Sequence, residues 1–198
     1  MISQTLLERY GAVKIQLDSK EILFDNGNQA RYYFQVISGK VKMNNFNSEG
    51  KEFIQGMFTS GMGFGEPPLL VDLNYPAGCQ AMEKSSLWRL SSERFFKLLQ
   101  ENPDAHLELT KSLAHRLHYK ATMAAEISSE NAGHRILRLI DYLKEHVHHK
   151  SKEEVFIVDL SRQQLADLTG LRVETVIRTV KALEHQGELR LKDHKIMR

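Results

Sequence analysis

L-S-R-Q-Q-L-A-D-L-T-G-L-R-V-E-T-V-I-R-T-V-K-A-L-E-H-Q-G, Leu160 to Gly187, predicts two short helices joined by a tight turn. Ser161 is a good N-cap, and Gln164 three residues on supplies the reciprocal partner of a capping box. Leu165, Ala166 and Leu168 give the first helix an inner face. Gly170 falls where a helix end needs a left-handed residue. The second helix runs from about Val173 to His185, with Val173, Val176, Ile177, Val180 and Leu183 at helical spacing. Arg172, Glu174, Thr175, Arg178 and Lys181 lie between them on a face that need not be buried. A short helix, a Gly turn and a second helix with Glu and Arg at i, i+4 form the pattern of a DNA-reading helix-turn-helix.

Charge supports a nucleic-acid contact at this end of the chain. Residues 161–198 carry 8 Lys/Arg against 5 Asp/Glu, residues 105–160 balance at 8 and 8, and residues 1–104 carry 11 against 12. With a net charge of only +2, the chain is no generally polycationic coat protein. No apolar run approaches the ~18 residues of a membrane span, and Met1-Ile2-Ser3-Gln4 begins no signal peptide. One cysteine, Cys79, cannot form an internal disulfide and fits a reducing cytoplasm.

Upstream, residues 12–90 read as β structure. Ala12–Leu17, Glu21–Phe24, Tyr32–Ile37, Lys40–Phe46, Glu52–Met57, Gly78–Met82 and Ser86–Leu90 are short and rich in aliphatic, β-branched or aromatic residues. D-N-G-N, S-G, N-S-E-G-K, T-S-G and Y-P-A-G between them are turn material. The spacing suggests a barrel or a double-sheet roll, here taken as a double-stranded β-roll of cupin-like jelly-roll type, its interior filled by Met57, Met62, Met82, Phe34, Phe53 and Phe64. A short helix follows over Ser91–Gln100. Asn102-Pro103 then opens a long one, striped by Leu109, Leu113, Leu117, Ala121, Ala124 and Ile127. That stripe is narrow and the helix is too long for a small roll alone, so a dimer seam is the economical reading. Gly133 ends or bends it, and His134–His146 is a further helix. Val155–Asp159 is a strand, and Glu188–Leu191 with Lys195–Met197 form a wing hairpin around Asp193-His194. The expected organisation is α+β: a β-roll over 1–102, a dimerisation helix over 103–132 and a winged helix-turn-helix over 133–198.

In this order, the chain resembles the Crp/Fnr family of bacterial transcription regulators. The likeness covers essentially the whole sequence and is carried by V-I-S-G-K-V-K at 36–42, F-G-E at 64–66, L-A-H-R-L at 113–117, G-H-R-I at 133–136 and S-R-Q-Q-L-A-D-L-T-G-L-R-V-E-T-V-I-R at 161–178. It implies that the roll over 1–102 is the effector-sensing domain of a homodimer bound to a palindrome in double-stranded DNA, with RNA polymerase as a further partner. Glu174 and Arg178 match the family's base-reading pair, and the resemblance points to a T-G-A-like core in each half-site. Chemically, Glu174 can accept from a cytosine amino group, Arg178 can fork onto a guanine, and the two can hold each other at i, i+4 before binding. V-E-T-V-I-R is closer to the Fnr-like V-E-T-I-S-R than to the cyclic-AMP receptor's R-E-T-V-G-R. Val173 therefore replaces a base-contacting Arg, and Ile177 can touch a thymine methyl. Ser161, Gln163, Arg172 and Thr175 are placed for phosphates.

The signal is where the sequence departs from the family pattern. Gly65 and Glu66 match the G-E of the effector pocket, but the Arg-Ser pair that holds a cyclic phosphate is Pro76-Ala77 here. Proline has neither a cation nor an N–H. The Thr-Ser pair that meets the base is Lys120-Ala121. Cyclic AMP is therefore not the expected effector unless Arg31, Lys42 or Arg89 supplies a cation. No cofactor is expected. An iron–sulfur cluster needs about four Cys, and no His precedes His106 to hold haem or a cupin metal. Cys79 reads as a core residue and Glu66 as a structural carboxylate bonded to loop amides. His146, His148 and His149 read as a solvated helix end, with no metal site. The rivals are a cupin-type enzyme, which lacks its histidines, and a ligand-binding dimer with vestigial DNA binding, against which the intact Glu174 and Arg178 speak.

Overall fold

The computed structural model describes residues 2–128 and 131–198, with the side chains of residues 126–128 left out. Ser129, Glu130 and the Ile127 side chain, all within the expected dimer helix, thus lie outside the described residues. The chain divides into two compact units, Met1–Leu113 and Ala114–Arg198.

The first unit opens with α1 (Gln4–Arg9), capped by the Ser3 side chain. Eight strands follow: β1 (Val13–Leu17), β2 (Ile22–Phe24), β3 (Tyr32–Ser38), β4 (Lys40–Phe46), β5 (Glu52–Thr59), β6 (Gly63–Phe64), β7 (Gly78–Ala81) and β8 (Ser85–Ser91). Two antiparallel sheets result, in the orders β1-β8-β3-β6 and β2-β7-β4-β5. Alternation along each strand sends Leu17, Phe34, Val36, Val41, Phe64, Cys79, Ala81 and Leu87 into a shared interior. Outside the first sheet, α3 (Ser92–Glu101) and the start of α4 (Pro103–Ser128) close a second cluster. There Tyr33 stacks on Phe95 with ring centroids 4.7 Å apart.

Several expectations need correction. Phe53 is 43% exposed rather than interior. Met43 pairs with Gly56 but Asn44 with Ile54, so Gln55 is an extra residue. The buried residues of β5 are Ile54 and Phe58, the alternate set to Phe53 and Met57, so the expected inward face is one residue out of phase. Two short helices, α1 and α2 (Glu66–Leu70), stand where no periodicity long enough to read was present. The break after α4 is made by Asn131, whose Oδ1 accepts from the His134 amide at 3.0 Å. Gly133 sits in the first turn of α5 (Ala132–Tyr142) rather than at the break.

In the second unit, α5 runs into a single π-helical turn, Leu143–Val147. β9 (Ile157–Val158), α6 (Arg162–Thr169), α7 (Val173–His185), β10 (Arg190–Lys192) and β11 (Lys195–Met197) complete it. Its core joins Ile136, Leu139 and Ile140 of α5 to Leu165, Val176, Val180 and Leu183. The small sheet, β10-β11-β9, covers one end.

Candidate nucleic-acid interface

The start of α6 is fixed by a complete capping box. Ser161 Oγ accepts from the Gln164 amide at 3.1 Å, and Gln164 Oε1 accepts from the Ser161 amide at 2.8 Å. Its end is fixed by Gly170 at φ 70°, a conformation that costs a side-chain-bearing residue about 1 kcal/mol or more. Thr169 Oγ1 donates back to the Leu165 carbonyl at 2.6 Å. The turn between α6 and α7 is thereby set by local chemistry. On α7, Val176, Val180 and Leu183 are buried, and Val173 packs on the same core. Arg172, Glu174, Ile177, Arg178 and Lys181 are exposed, Ile177 by 43%.

This arrangement brings Glu174, Ile177 and Arg178 onto one solvent-facing row. No ion pair joins Glu174 and Arg178 among the described residues, so both ends are available to a ligand. Of the residues expected at phosphates, Ser161 is occupied as a cap but keeps its O–H to donate. Gln163 donates its amide to Asp167 at 2.8 Å. Arg172 stands at the N-cap of α7, and Thr175 is half-buried one turn in.

The wing adds contacts that sequence reasoning did not single out. Asp193 and His194 take φ 50° and 63°, the double left-handed geometry of a two-residue hairpin whose twist matches the strands. Arg162 at the start of α6 donates to the His194 carbonyl at 3.3 Å. Glu184 on α7 accepts from the Leu191 amide at 3.1 Å. These bonds tie the hairpin to both helices and hold the exposed Lys192 and Lys195 beside them. The charge excess over residues 161–198 was the only sequence signal for these two cations.

In the roll, Gly65, Pro76 and Ala77 adjoin an unforeseen side chain, Tyr75. Gly65 has φ 86°, and a Cβ there would lie 3.1 Å from the Tyr32 carbonyl, so glycine is required. Glu66 is fully buried at the start of α2 and Ala77 is fully buried beside Tyr75. Pro76 is exposed, its carbonyl accepting from Asn45 Nδ2 at 3.0 Å. Tyr75, expected in a turn, points inward. Its ring stacks on Phe24 at 3.8 Å, and its hydroxyl donates to the Tyr32 carbonyl at 3.1 Å. Phe34 and Phe64 stack next to it at 5.3 Å. The substitute cations are engaged elsewhere: Arg31 donates to Gln29 at 2.8 Å, Lys42 pairs with Glu52 at 2.5 Å, and Arg89 lies 4.9 Å over the Tyr32 ring. Burial pushes the Cys79 thiol up to about 12, which leaves it a protonated core group. On α4, Lys120 is pushed below the usual lysine range by partial desolvation and by Arg116.

Comparison with known proteins accounts for both units. Residues 14–102 match the cyclic nucleotide-binding domain, and residues 135–197 match the Crp-like helix-turn-helix domain. The chain belongs to the Crp/Fnr family. It is 26% identical over 170 residues to the cAMP-activated global transcriptional regulator CRP of Haemophilus influenzae, covering 85% of this chain and 76% of that one. It is also 26% identical over 178 residues to the transcriptional activator protein anr of Pseudomonas aeruginosa, covering 86% and 70%. Among solved structures, the c-di-GMP-responsive global regulator CLP of Xanthomonas campestris is similar over 98% of both chains, with 25% identity and a TM-score of 0.73. This Crp/Fnr chain is a DNA-binding transcription regulator with a cyclic-nucleotide-binding-like domain. Among the described residues, no helix is long and apolar enough to cross a membrane.

Proposed function

We propose that the chain works as a homodimer that reads a two-fold palindrome, with Glu174, Arg178 and Ile177 on base edges and Ser161, Gln163, Arg172 and Thr175 on phosphates. The observation that carries this reading is the exposed Glu174–Ile177–Arg178 row on a helix whose opposite face is locked into the core. A guanidinium fork suits guanine and a carboxylate suits the cytosine amino group. Two such helices related by a two-fold axis demand a symmetric site, about one DNA turn between half-sites. In this reading residues 1–102 take the signal, 103–132 pair the protomers and 133–198 hold DNA, with RNA polymerase contacted from the DNA-bound dimer. Selection from random duplexes tests it. An inverted repeat with a T-G-A-like core is expected, and enrichment of asymmetric or unrelated sequences would overturn it.

The signal at the roll is something other than cyclic AMP. Pro76 and Ala77 offer a cyclic phosphate no cation and no hydroxyl, and an uncompensated buried anion is strongly disfavoured. Tyr75, Phe24, Phe34 and Phe64 fill the adjoining interior. Calorimetry with millimolar cyclic AMP is expected to give no heat of binding. Saturable micromolar binding would reverse this conclusion.

A further inference from the structure

Along the sheet β2-β7-β4-β5, a groove of about 300 Å³ has a mostly apolar lining, with Ile22, Phe46 and Cys79, interrupted by Asp25 and a set of carboxamides. It lies apart from the aromatic interior of the roll. Its floor is Gly78, and its walls include Asp25, Asn44, Asn45 and Gln80. Three carboxamides there donate their N–H groups to the protein: Asn44 to the Glu52 carboxylate, Asn45 to the Pro76 carbonyl at 3.0 Å, and Gln80 to the Lys20 carbonyl at 3.0 Å. Each of these partners can only accept, so the orientation of each amide is determined and its carbonyl oxygen is the free end. Asn44 is only 6% exposed, and its Oδ1 lies 3.7 Å from where a Cβ on Gly78 would stand. Asn45 Oδ1 is buried in the wall and accepts no hydrogen bond. Asp25 is exposed, and among the described residues its carboxylate enters no ion pair. Acceptors therefore outnumber donors, and the formal charge of the lining is negative. Ile22 and Phe46, 57% and 66% exposed, stand at the edges, where an isolated pair of large apolar groups covers a hydrocarbon stem well.

Gly78 is not required by the backbone. It has no positive φ, and an added Cβ would meet nothing nearer than the Phe24 carbonyl at 3.6 Å. The missing side chain keeps the groove floor open.

We propose that this groove binds a small amphiphilic organic cation, an alkyl ammonium or alkyl guanidinium, with its N–H donors on the Asp25 carboxylate and the Asn44 and Gln80 carbonyl oxygens and its methylenes on Ile22 and Phe46. A neutral polyol would satisfy the acceptors but leave the charge unanswered. The ion pair of Lys42 with Glu52 at 2.5 Å neutralises the β4 ammonium on the strand register of Asn44 and Gln80. The test is titration calorimetry on the full chain with diaminobutane and agmatine as cationic probes and butanediol as the neutral isostere. Saturable binding of the cations is expected, with butanediol at least about tenfold weaker. Asp25→Asn and Gly78→Ala are each expected to weaken the cations about tenfold with circular dichroism and palindrome binding unchanged. These last two readouts separate failure of this site from failure of the regulator reading. Equal binding of butanediol, no saturable binding of either cation, or affinity untouched by both substitutions would each overturn the proposal.

Discussion

Arg178 and Arg172 carry the same charge yet stand in different mechanical situations. Arg178 projects from the exposed face one turn after Glu174, where the proposed reading puts its planar fork on a base edge. Arg172 is the N-cap residue of α7, which the proposed reading assigns to a backbone phosphate. Arg178→Ala is expected to cost about 1–3 kcal/mol per half-site and to flatten the preference at one base pair. Arg172→Ala is expected to weaken all sequences alike and to lower the salt slope by about one counterion. Random-duplex selection and salt titrations on both variants are the check. If Arg178→Ala selects the same motif with equal stringency, the base-reading assignment fails. At this scale the sequence was readable where chemistry is local, as in the Ser161–Gln164 box and the Gly170 turn. Tyr75 was unreadable because Y-P-A-G has the composition of a turn. Only the tertiary stack on Phe24 shows that the ring points inward.

Between elements, the junction of α4 with α5 and its π turn depends on ring contacts. Tyr119 stacks on Tyr142 at 3.8 Å, and His115 faces His146 with ring centroids 4.9 Å apart. Slight desolvation of its largely exposed ring, then the neighbouring His115, holds His146 below the usual histidine range, with His118 and His149 adding to the effect and Glu145 opposing it. The folded state then binds fewer protons than the unfolded chain, so stability is full above the unfolded value of about 6.5 and is lost as pH falls below it. Thermal melts from neutral to mildly acidic pH are expected to show a falling Tm that His146→Gln flattens. The ring is exposed, so the effect is small, and a wild-type profile parallel to that of the variant would show that this contact does not titrate. None of this was legible beforehand. H-V-H-H reads as a polar helix end, and the partner His115 lies on another helix thirty-one positions earlier. Helix boundaries suffered in the same way. Asn131 caps α5 two residues before the glycine that looked like the break, because a side-chain cap outweighs one flexible residue. Seven of the eight strands of the roll, by contrast, were readable in place, since each is bounded by its own turn residues, and the two-residue β6 was not. The face presented by β5 was not, because Phe53, Ile54, Met57 and Phe58 put large apolar residues in both alternate sets.

For the whole molecule, the apolar stripe of α4 serves two masters. Leu109 is 7% exposed and buries in the first unit together with Leu113. Leu117 is 69% exposed, and Ala121 on the same stripe is also exposed. A helix of 26 residues spans on the order of 39 Å, more than a small roll can cover, and a large aliphatic side chain left in water forfeits about 1.5–3 kcal/mol of burial. Pairing with a second copy of α4 through Leu117 and Ala121, as proposed above, would recover that burial. Leu117→Asp disturbs no intrachain core, so it is expected to give folded monomers. Light scattering should report half the wild-type mass while circular dichroism stays unchanged. Palindrome affinity should then drop by about two orders of magnitude or more, since each half-site binds without the effective concentration that linkage provides. A dimer of unchanged mass would place the interface on another surface, and the spacing argued for the two half-sites would go with it.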